Sequence, residues 1–121
     1  MPLYIVEKVV DNIMLLDLRG RLTLGPETLA LRSKIDQLLE AGCTLILLNL
    51  GEITYIDSVG LSSLVTSYTS TRKRGGNLKL LHLPRDVRQL LQITRLSTVF
   101  EIYDSLEAAR QSFQKDSSAG I

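Results

Sequence analysis

The stretch Thr44–Leu50, with the sequence TLILLNL, constrains the fold most, because it is apolar at almost every position. A strand with one covered face alternates apolar and polar residues, whereas a continuously apolar strand is covered on both faces. Such strands are typical of parallel sheets with helices packed against them. The sequence therefore predicts a central strand at residues 44–50 of an α/β domain.

Segments with strand and helix patterns alternate around this run. Residues 3–10 and 13–20 are rich in β-branched and aliphatic residues and are separated by Asp11 and Asn12, which predicts an N-terminal β-hairpin. Helical spacing of apolar residues, with proline or capping residues before it and glycine after it, predicts four helices. These helices lie within residues 25–42, 58–76 and 84–96, and from Asp104, which with Glu107 resembles a capping box, to about Phe113.

Further strands are expected at residues 77–83 and 98–103, so the sheet is mixed and mostly parallel after the hairpin. A chain of 121 residues has the length of a single domain. We expect residues 1–114 to form this domain and residues 115–121, KDSSAGI, to form a flexible C-terminal tail.

Composition and charge exclude several functional classes. The chain has no apolar run of the roughly 20 residues that cross a membrane, so we expect no direct membrane insertion and a cytoplasmic location. One cysteine, Cys43, and one histidine, His82, are too few for a structural zinc site, and no cofactor is expected. Residues 72–95 hold seven Lys/Arg against one acid, but without base-stacking aromatic residues this excess does not indicate nucleic-acid binding.

The motif YIDSVGL at residues 55–61 places an acid and a hydroxyl between the central strand and the second helix. Ligands and partners tend to meet open α/β sheets at this edge. Asp57 and Ser58 are both preferred N-cap residues, so helix capping alone explains one of them. The other side chain is then free to face outward.

Small hydroxyl residues continue along one face of the second helix. Ser58, Ser62 and Thr66 are four residues apart, where a solvated helix usually carries lysine and glutamate. Such a surface lets the backbone of another protein approach closely, with Gly60 leaving room in the first turn. The pattern therefore favours a protein-docking surface.

An enzymatic reading of this junction is weaker. A nucleophile elbow has the same order of strand, serine and helix, but it requires a small residue two positions before the serine, and that position is Ile56. His82 has no evident orienting acid, and no phosphate-binding loop of the form GxxxxGK[ST] is present. We therefore expect no catalytic residue and no metal ligand.

The chain resembles a STAS domain, in particular a bacterial anti-sigma factor antagonist, from LNLGEITYIDSVGL through RKRGGNLKLLHLPRDVRQLLQITRL to TVFEIYDSLEAA. With IMLLDLRGRLTLGPETLALR as the second strand and first helix, the resemblance covers about residues 3–113. It implies a single α/β STAS-like domain with a mixed, mostly parallel sheet and about four helices.

The resemblance also implies a function. In this family the serine after the aspartate, here Ser58, is phosphorylated by a serine/threonine kinase that is also the anti-sigma factor. The unphosphorylated antagonist binds this kinase and frees the sigma factor, phosphorylation releases it, and a phosphatase can reset the serine. The expected partner-binding surface comprises Thr23, Asp57, Ser58, Gly60, Ser62 and Ser63.

Two positions depart from the family pattern. Antagonists often have Gly-x-Leu-Asp at the end of the second strand, whereas this chain has Thr23 in place of the aspartate. Val59 stands where a second serine is common, which leaves Ser58 as the one obvious phosphoacceptor. Thr23 favours an alternative function, a phosphorylation-independent scaffold or accessory subunit of a transporter or signalling assembly.

Overall fold

The computed structural model describes residues 3–119, and five strands in it form one sheet in the order β1-β2-β3-β4-β5. The strands are β1 (Tyr4–Val10), β2 (Ile13–Leu22), β3 (Leu45–Ile56), β4 (Asn77–Leu81) and β5 (Ile102–Tyr103). The first two strands are antiparallel, and every later pair of neighbours is parallel. The predicted hairpin and the mixed, mostly parallel sheet are therefore confirmed.

Helices cover both faces of this sheet. They are α1 (Pro26–Glu40), α2 (Ser58–Lys73), α3 (Arg85–Ile93) and α4 (Leu106–Ala119), with a 3₁₀ turn at Leu96–Thr98. The first three helices share the main apolar core with the alternate β3 residues Ile46, Leu48 and Leu50, while α4 packs on the opposite face over Leu47. Strand β3 is thus buried on both sides, as its continuous apolar sequence predicts.

The chain before α4 differs from the prediction in two details. The strand expected at residues 98–103 is reduced to Ile102–Tyr103, because a 3₁₀ turn occupies Leu96–Thr98. After this turn Phe100 packs edge-on against Tyr68, with ring centroids 5.4 Å apart. The predicted capping box at Asp104 is wrong, since the Ser105 hydroxyl accepts the Ala108 N–H instead, at 3.1 Å. Asp104 accepts a hydrogen bond from Arg88 at 2.9 Å.

Helix α4 extends beyond residue 114 because a buried lysine holds its last turns. Lys79 lies in β4 on the α4 side of the sheet and is 0% exposed. Its Nζ donates to Asp116 Oδ2 at 2.6 Å and to Ser112 Oγ at 2.9 Å, and lies 4.5 Å from the Phe113 ring centroid. Residues 115–119 of the expected tail are therefore helical, and residues 120 and 121 lie outside the described residues.

The basic residues of the middle segment do not form one surface near Ser58. Arg72, Lys73 and Arg74 lie at the C-terminal end of α2, where positive charge suits the helix dipole. A helix of 16 residues places them about 24 Å from its first residue. Since Lys79 is buried and Arg88 is paired with Asp104, little of the excess positive charge of residues 72–95 faces the start of α2.

Candidate docking site at the start of helix α2

At the start of α2, the neighbouring residues Asp57 and Ser58 have different roles. Asp57 has the extended backbone of an N-cap residue, and its Oδ1 accepts a hydrogen bond from the Gly60 N–H at 2.8 Å. Ser58 is the first helical residue and is exposed. Among the described residues the Ser58 hydroxyl has no hydrogen-bond partner, so it is free to face solvent or another protein.

Asp57 also joins the start of α2 to the loop between β2 and α1. Its Oδ2 accepts the Leu24 N–H at 2.9 Å, and its own N–H donates to the Leu22 carbonyl at 3.3 Å. The N–H groups of Leu24 and Gly60 stabilise the carboxylate and hold the pKa of Asp57 below its ordinary value. Asp57 is therefore ionised at neutral pH and acts as a clasp between two segments of the site.

The clasp brings Thr23 to the same edge of the sheet as Ser58, as expected. Thr23 is half-buried between Leu22, which contacts the start of α2, and Leu24, whose N–H binds Asp57. Exposed apolar side chains accompany this edge: Leu24 is 73% exposed, Tyr55 54% and Val59 36%. Sequence analysis did not assign these three residues to the docking surface, although Leu24, an apolar residue in a loop, was a usable signal.

Gly60 supports the site from inside and leaves no room for a partner. It is buried, and a Cβ atom built on it would lie only 2.0 Å from the Leu22 carbonyl oxygen. The expectation that Gly60 contacts a partner is therefore wrong. Its lack of a side chain lets the first turn of α2 rest against the end of β2.

Helix α2 carries two rows of hydroxyl residues. The outer row consists of Ser58 and Ser62, which are exposed, and Thr66, which is half-buried. The inner row consists of Ser63, Ser67 and Thr71, all buried. Ser63 is 6% exposed and donates to the Gly60 carbonyl at 2.6 Å, so its predicted place in the docking surface is wrong.

The other candidates from the sequence lie away from this chemistry. His82 is exposed at the end of β4, where its backbone N–H donates to the Tyr103 carbonyl at 3.0 Å, and Cys43 is half-buried beside the main core. Within residues 3–119 no group of three or more His, Cys, Asp or Glu side chains is placed to hold a metal ion. In the same range, no helix combines the length and apolar character needed to span a membrane.

Comparisons with known proteins agree with this architecture. The anti-sigma-B factor antagonist of Bacillus subtilis (strain 168) is 35% identical over 81 residues, which cover 67% of this chain and 73% of that protein. The crystal structure of the Thermotoga maritima protein TM1081 is 25% identical and covers 91% of this chain and 94% of that one, with a TM-score of 0.85.

The fold is also that of the Bacillus anti-sigma factor antagonist SpoIIAA, at 20% identity to each of two structures. The TM-score is 0.69 for the unphosphorylated form, with 98% of this chain and 100% of that one covered. It is 0.71 for the phosphorylated form, with 90% and 98% covered. The STAS domain family model matches residues 4–109, and this chain therefore belongs to the STAS domain family.

Proposed function

We propose that this chain is an anti-sigma factor antagonist whose unphosphorylated form binds a serine/threonine kinase anti-sigma factor in the cytoplasm. Phosphorylation of Ser58 by that kinase releases the complex and so regulates sigma-factor-dependent transcription. The observation that carries the proposal is the exposed Ser58 hydroxyl at the first turn of α2, beside an aspartate already committed to capping. The relative from Bacillus subtilis, an anti-sigma-B factor antagonist, supports it.

The switch works by local electrostatics. A phosphate adds about −1.5 to −2 charges, and backbone N–H groups at a helix N-terminus can hold it. Beside the ionised Asp57, the same charge and bulk oppose a partner shaped for a neutral hydroxyl. The likeness of this fold to both forms of SpoIIAA is consistent with a switch that leaves the domain folded.

The proposed docking surface is narrower than the sequence suggested. It comprises Thr23, Ser58 and Ser62, with Asp57 holding the β2–α1 loop in place through Leu24. The exposed apolar residues Leu24, Tyr55 and Val59 supply desolvation energy around the hydroxyls. Of the basic residues on α3, Arg85 is exposed, whereas Arg88 is paired with Asp104 at 2.9 Å.

The deciding experiment is intact-mass analysis of the protein after incubation with ATP and the candidate anti-sigma kinase. We expect one added phosphate, which disappears in Ser58→Ala and persists in Ser62→Ala. Ser62 is a matched control because it is an exposed serine one turn along the same outer row.

The other outcomes separate the alternatives. If the kinase bound stably but added no phosphate, the protein would act as a phosphorylation-independent scaffold or accessory subunit. This is the alternative function that Thr23 favours. A phosphate that persists in Ser58→Ala would place the phosphoacceptor elsewhere. If the protein neither bound the kinase nor gained a phosphate, the proposal would be contradicted.

A further inference from the structure

Strand β3 continues well beyond the strand beside it. Residues 45–49 of β3 pair with β4, whereas pairing with β2 continues to Ile56. In the described part of the chain, residues 52–56 thus have β2 as their only strand neighbour. The opposite edge of this part of β3 faces α3, which contributes side chains but no strand.

We propose that an extended segment of the partner kinase docks along this free edge of β3, with one apolar side chain in the groove between β3 and α3. The proposal rests on the proposed function and names a second part of the same interface. It therefore predicts that the partner contacts residues well before Ser58 in addition to the start of α2.

The groove has the size and lining for one or two side chains. Its volume is about 230 Å³, below the roughly 300–1,000 Å³ of small-molecule pockets. It is lined by the β3 residues Ile53, Thr54, Tyr55 and Ile56 and by Pro84, Asp86, Val87 and Leu90 from α3 and the residue before it. Most of these side chains are apolar, so they favour an aliphatic or aromatic anchor.

The free edge of β3 determines the conformation of the segment that fills the groove. Alternate N–H and C=O groups of a strand point to each side, so those on the α3 side lack a neighbouring strand. An extended backbone satisfies them by adding a strand, the mode known as β-augmentation. A helix laid in the groove would leave the same backbone groups unpaired, and unpaired groups at an interface weaken binding.

Charge further specifies the segment. Asp86 at the groove and Glu52 on β3 are both exposed acids. Lysine or arginine beside the apolar anchor would complement them. Arg85 beside Asp86 and Arg21, which lies 5.5 Å from the Tyr55 ring centroid, add positive charge to the same surface. The occupant is therefore an extended kinase segment with an apolar residue and one basic residue placed to meet Asp86.

The groove is continuous with the proposed docking surface. Tyr55, which lines it, is 54% exposed, and Ile56 is followed directly by Asp57 and Ser58. A segment that lies along residues 52–56 consequently leads to the phosphoacceptor.

Hydrogen–deuterium exchange tests the strand addition on the wild-type protein. Alternate amides of residues 52–56, those that face α3, should exchange rapidly in the free protein and at least tenfold more slowly with the kinase bound. The same protection at high protein concentration without kinase would instead identify a second copy of this chain and overturn the proposal.

Variants test the groove itself by the affinity for the kinase, with thermal unfolding to confirm folding. Leu90→Glu should weaken binding at least tenfold, while Gln89→Glu, on an exposed residue of the same helix outside the groove, should not. Asp86→Lys should also weaken binding, whereas Asp36→Lys, the same charge change on exposed α1 surface, should not.

The results distinguish this proposal from the function on which it rests. Suppose that the kinase binds tightly and phosphorylates Ser58, but residues 52–56 are not protected and the groove variants have no effect. This result would overturn the proposed docking in the groove and leave the proposed function intact. Failure of the wild-type protein to bind the kinase would overturn both.

Discussion

The two hydroxyl rows of α2 consist of the same residue types on one helix, yet they have different roles. The outer row, Ser58, Ser62 and Thr66, faces solvent or is half-buried, and its first member has a free hydroxyl. The inner row, Ser63, Ser67 and Thr71, is buried, and two of its hydroxyls donate to carbonyls of the same helix. Small hydroxyl residues thus allow close packing on one side of α2 and partner access on the other.

This difference shows what determines the role of a serine in this domain. Residue type and spacing are alike in both rows, whereas burial is not. A hydroxyl inside the domain is satisfied by its own helix or left unpaired, so it cannot respond to a partner. Only the outer row can act as a switch, and the predictions below test this division in order of decreasing effect.

The largest effect is expected where the inner side of α2 touches β2. Gly60→Ala should lower the free energy of unfolding by more than about 3 kcal/mol, because the new Cβ would lie 2.0 Å from the Leu22 carbonyl oxygen. Urea denaturation measures this loss. Ser62→Ala, on the outer row, serves as the control and should change stability by less than about 0.5 kcal/mol; wild-type stability of Gly60→Ala would show that α2 moves away from β2 at little cost.

A large effect on binding, without one on stability, is expected in the outer row. Ser58→Asp should weaken kinase binding at least a hundredfold, about 2.8 kcal/mol, because it places a second negative charge beside Asp57. Calorimetric titration compares it with Ser58→Ala, which should bind like the wild type. Equal affinities of the two variants would contradict the switch and favour a constitutive scaffold.

The Asp57 clasp predicts a smaller, pH-dependent effect. Its pKa is lowered on folding by the Leu24 and Gly60 N–H groups, so its stabilising contribution is present above about pH 4 and lost as pH falls through the folded pKa. Asp57→Asn should therefore be less stable than the wild type at pH 7, and this difference should shrink in acid. Urea denaturation at several pH values measures it, with the exposed Asp36→Asn as control; a difference independent of pH would show that the clasp does not depend on charge.

The smallest effects separate members of the inner row. The buried Ser67 hydroxyl has no hydrogen-bond partner among the described residues, whereas Ser63 donates to the Gly60 carbonyl. Ser67→Ala should leave stability unchanged or raise it by about 1 kcal/mol, and Ser63→Ala should lower it by about 1 kcal/mol. The reverse order in thermal unfolding would mean that Ser67 has a partner in solution.

Much of the fold follows from local patterns in the sequence. The hairpin, the buried central strand and the four helices were predictable because apolar periodicity and terminal residues specify them. The burial of Gly60 and Ser63 could have been predicted in part. Gly60, Ser63, Ser67 and Thr71 recur at helical spacing, so they lie on one face of α2 beside its apolar stripe. The extension of β3 was missed because the glycine and glutamate in GEITY weaken a strand pattern.

Other features depend on contacts between distant parts of the chain. The last turns of α4 look like a polar tail in sequence, but Asp116 is paired with Lys79, a residue 37 positions earlier. The bond from the Leu24 N–H to Asp57 spans 33 positions and involves a backbone group that carries no sequence signal. Such contacts follow from the fold as a whole, so the sequence did not indicate them.

Lys79 gives this domain a built-in chemical reporter. Of the five lysines in the sequence, it is the one whose amine is fully enclosed beneath α4 in the described part of the chain. An acylating reagent can modify this amine only while α4 is lifted from the sheet, so the rate of labelling measures how often that helix opens. Peptide mass mapping would thus follow the opening of α4 without an added probe.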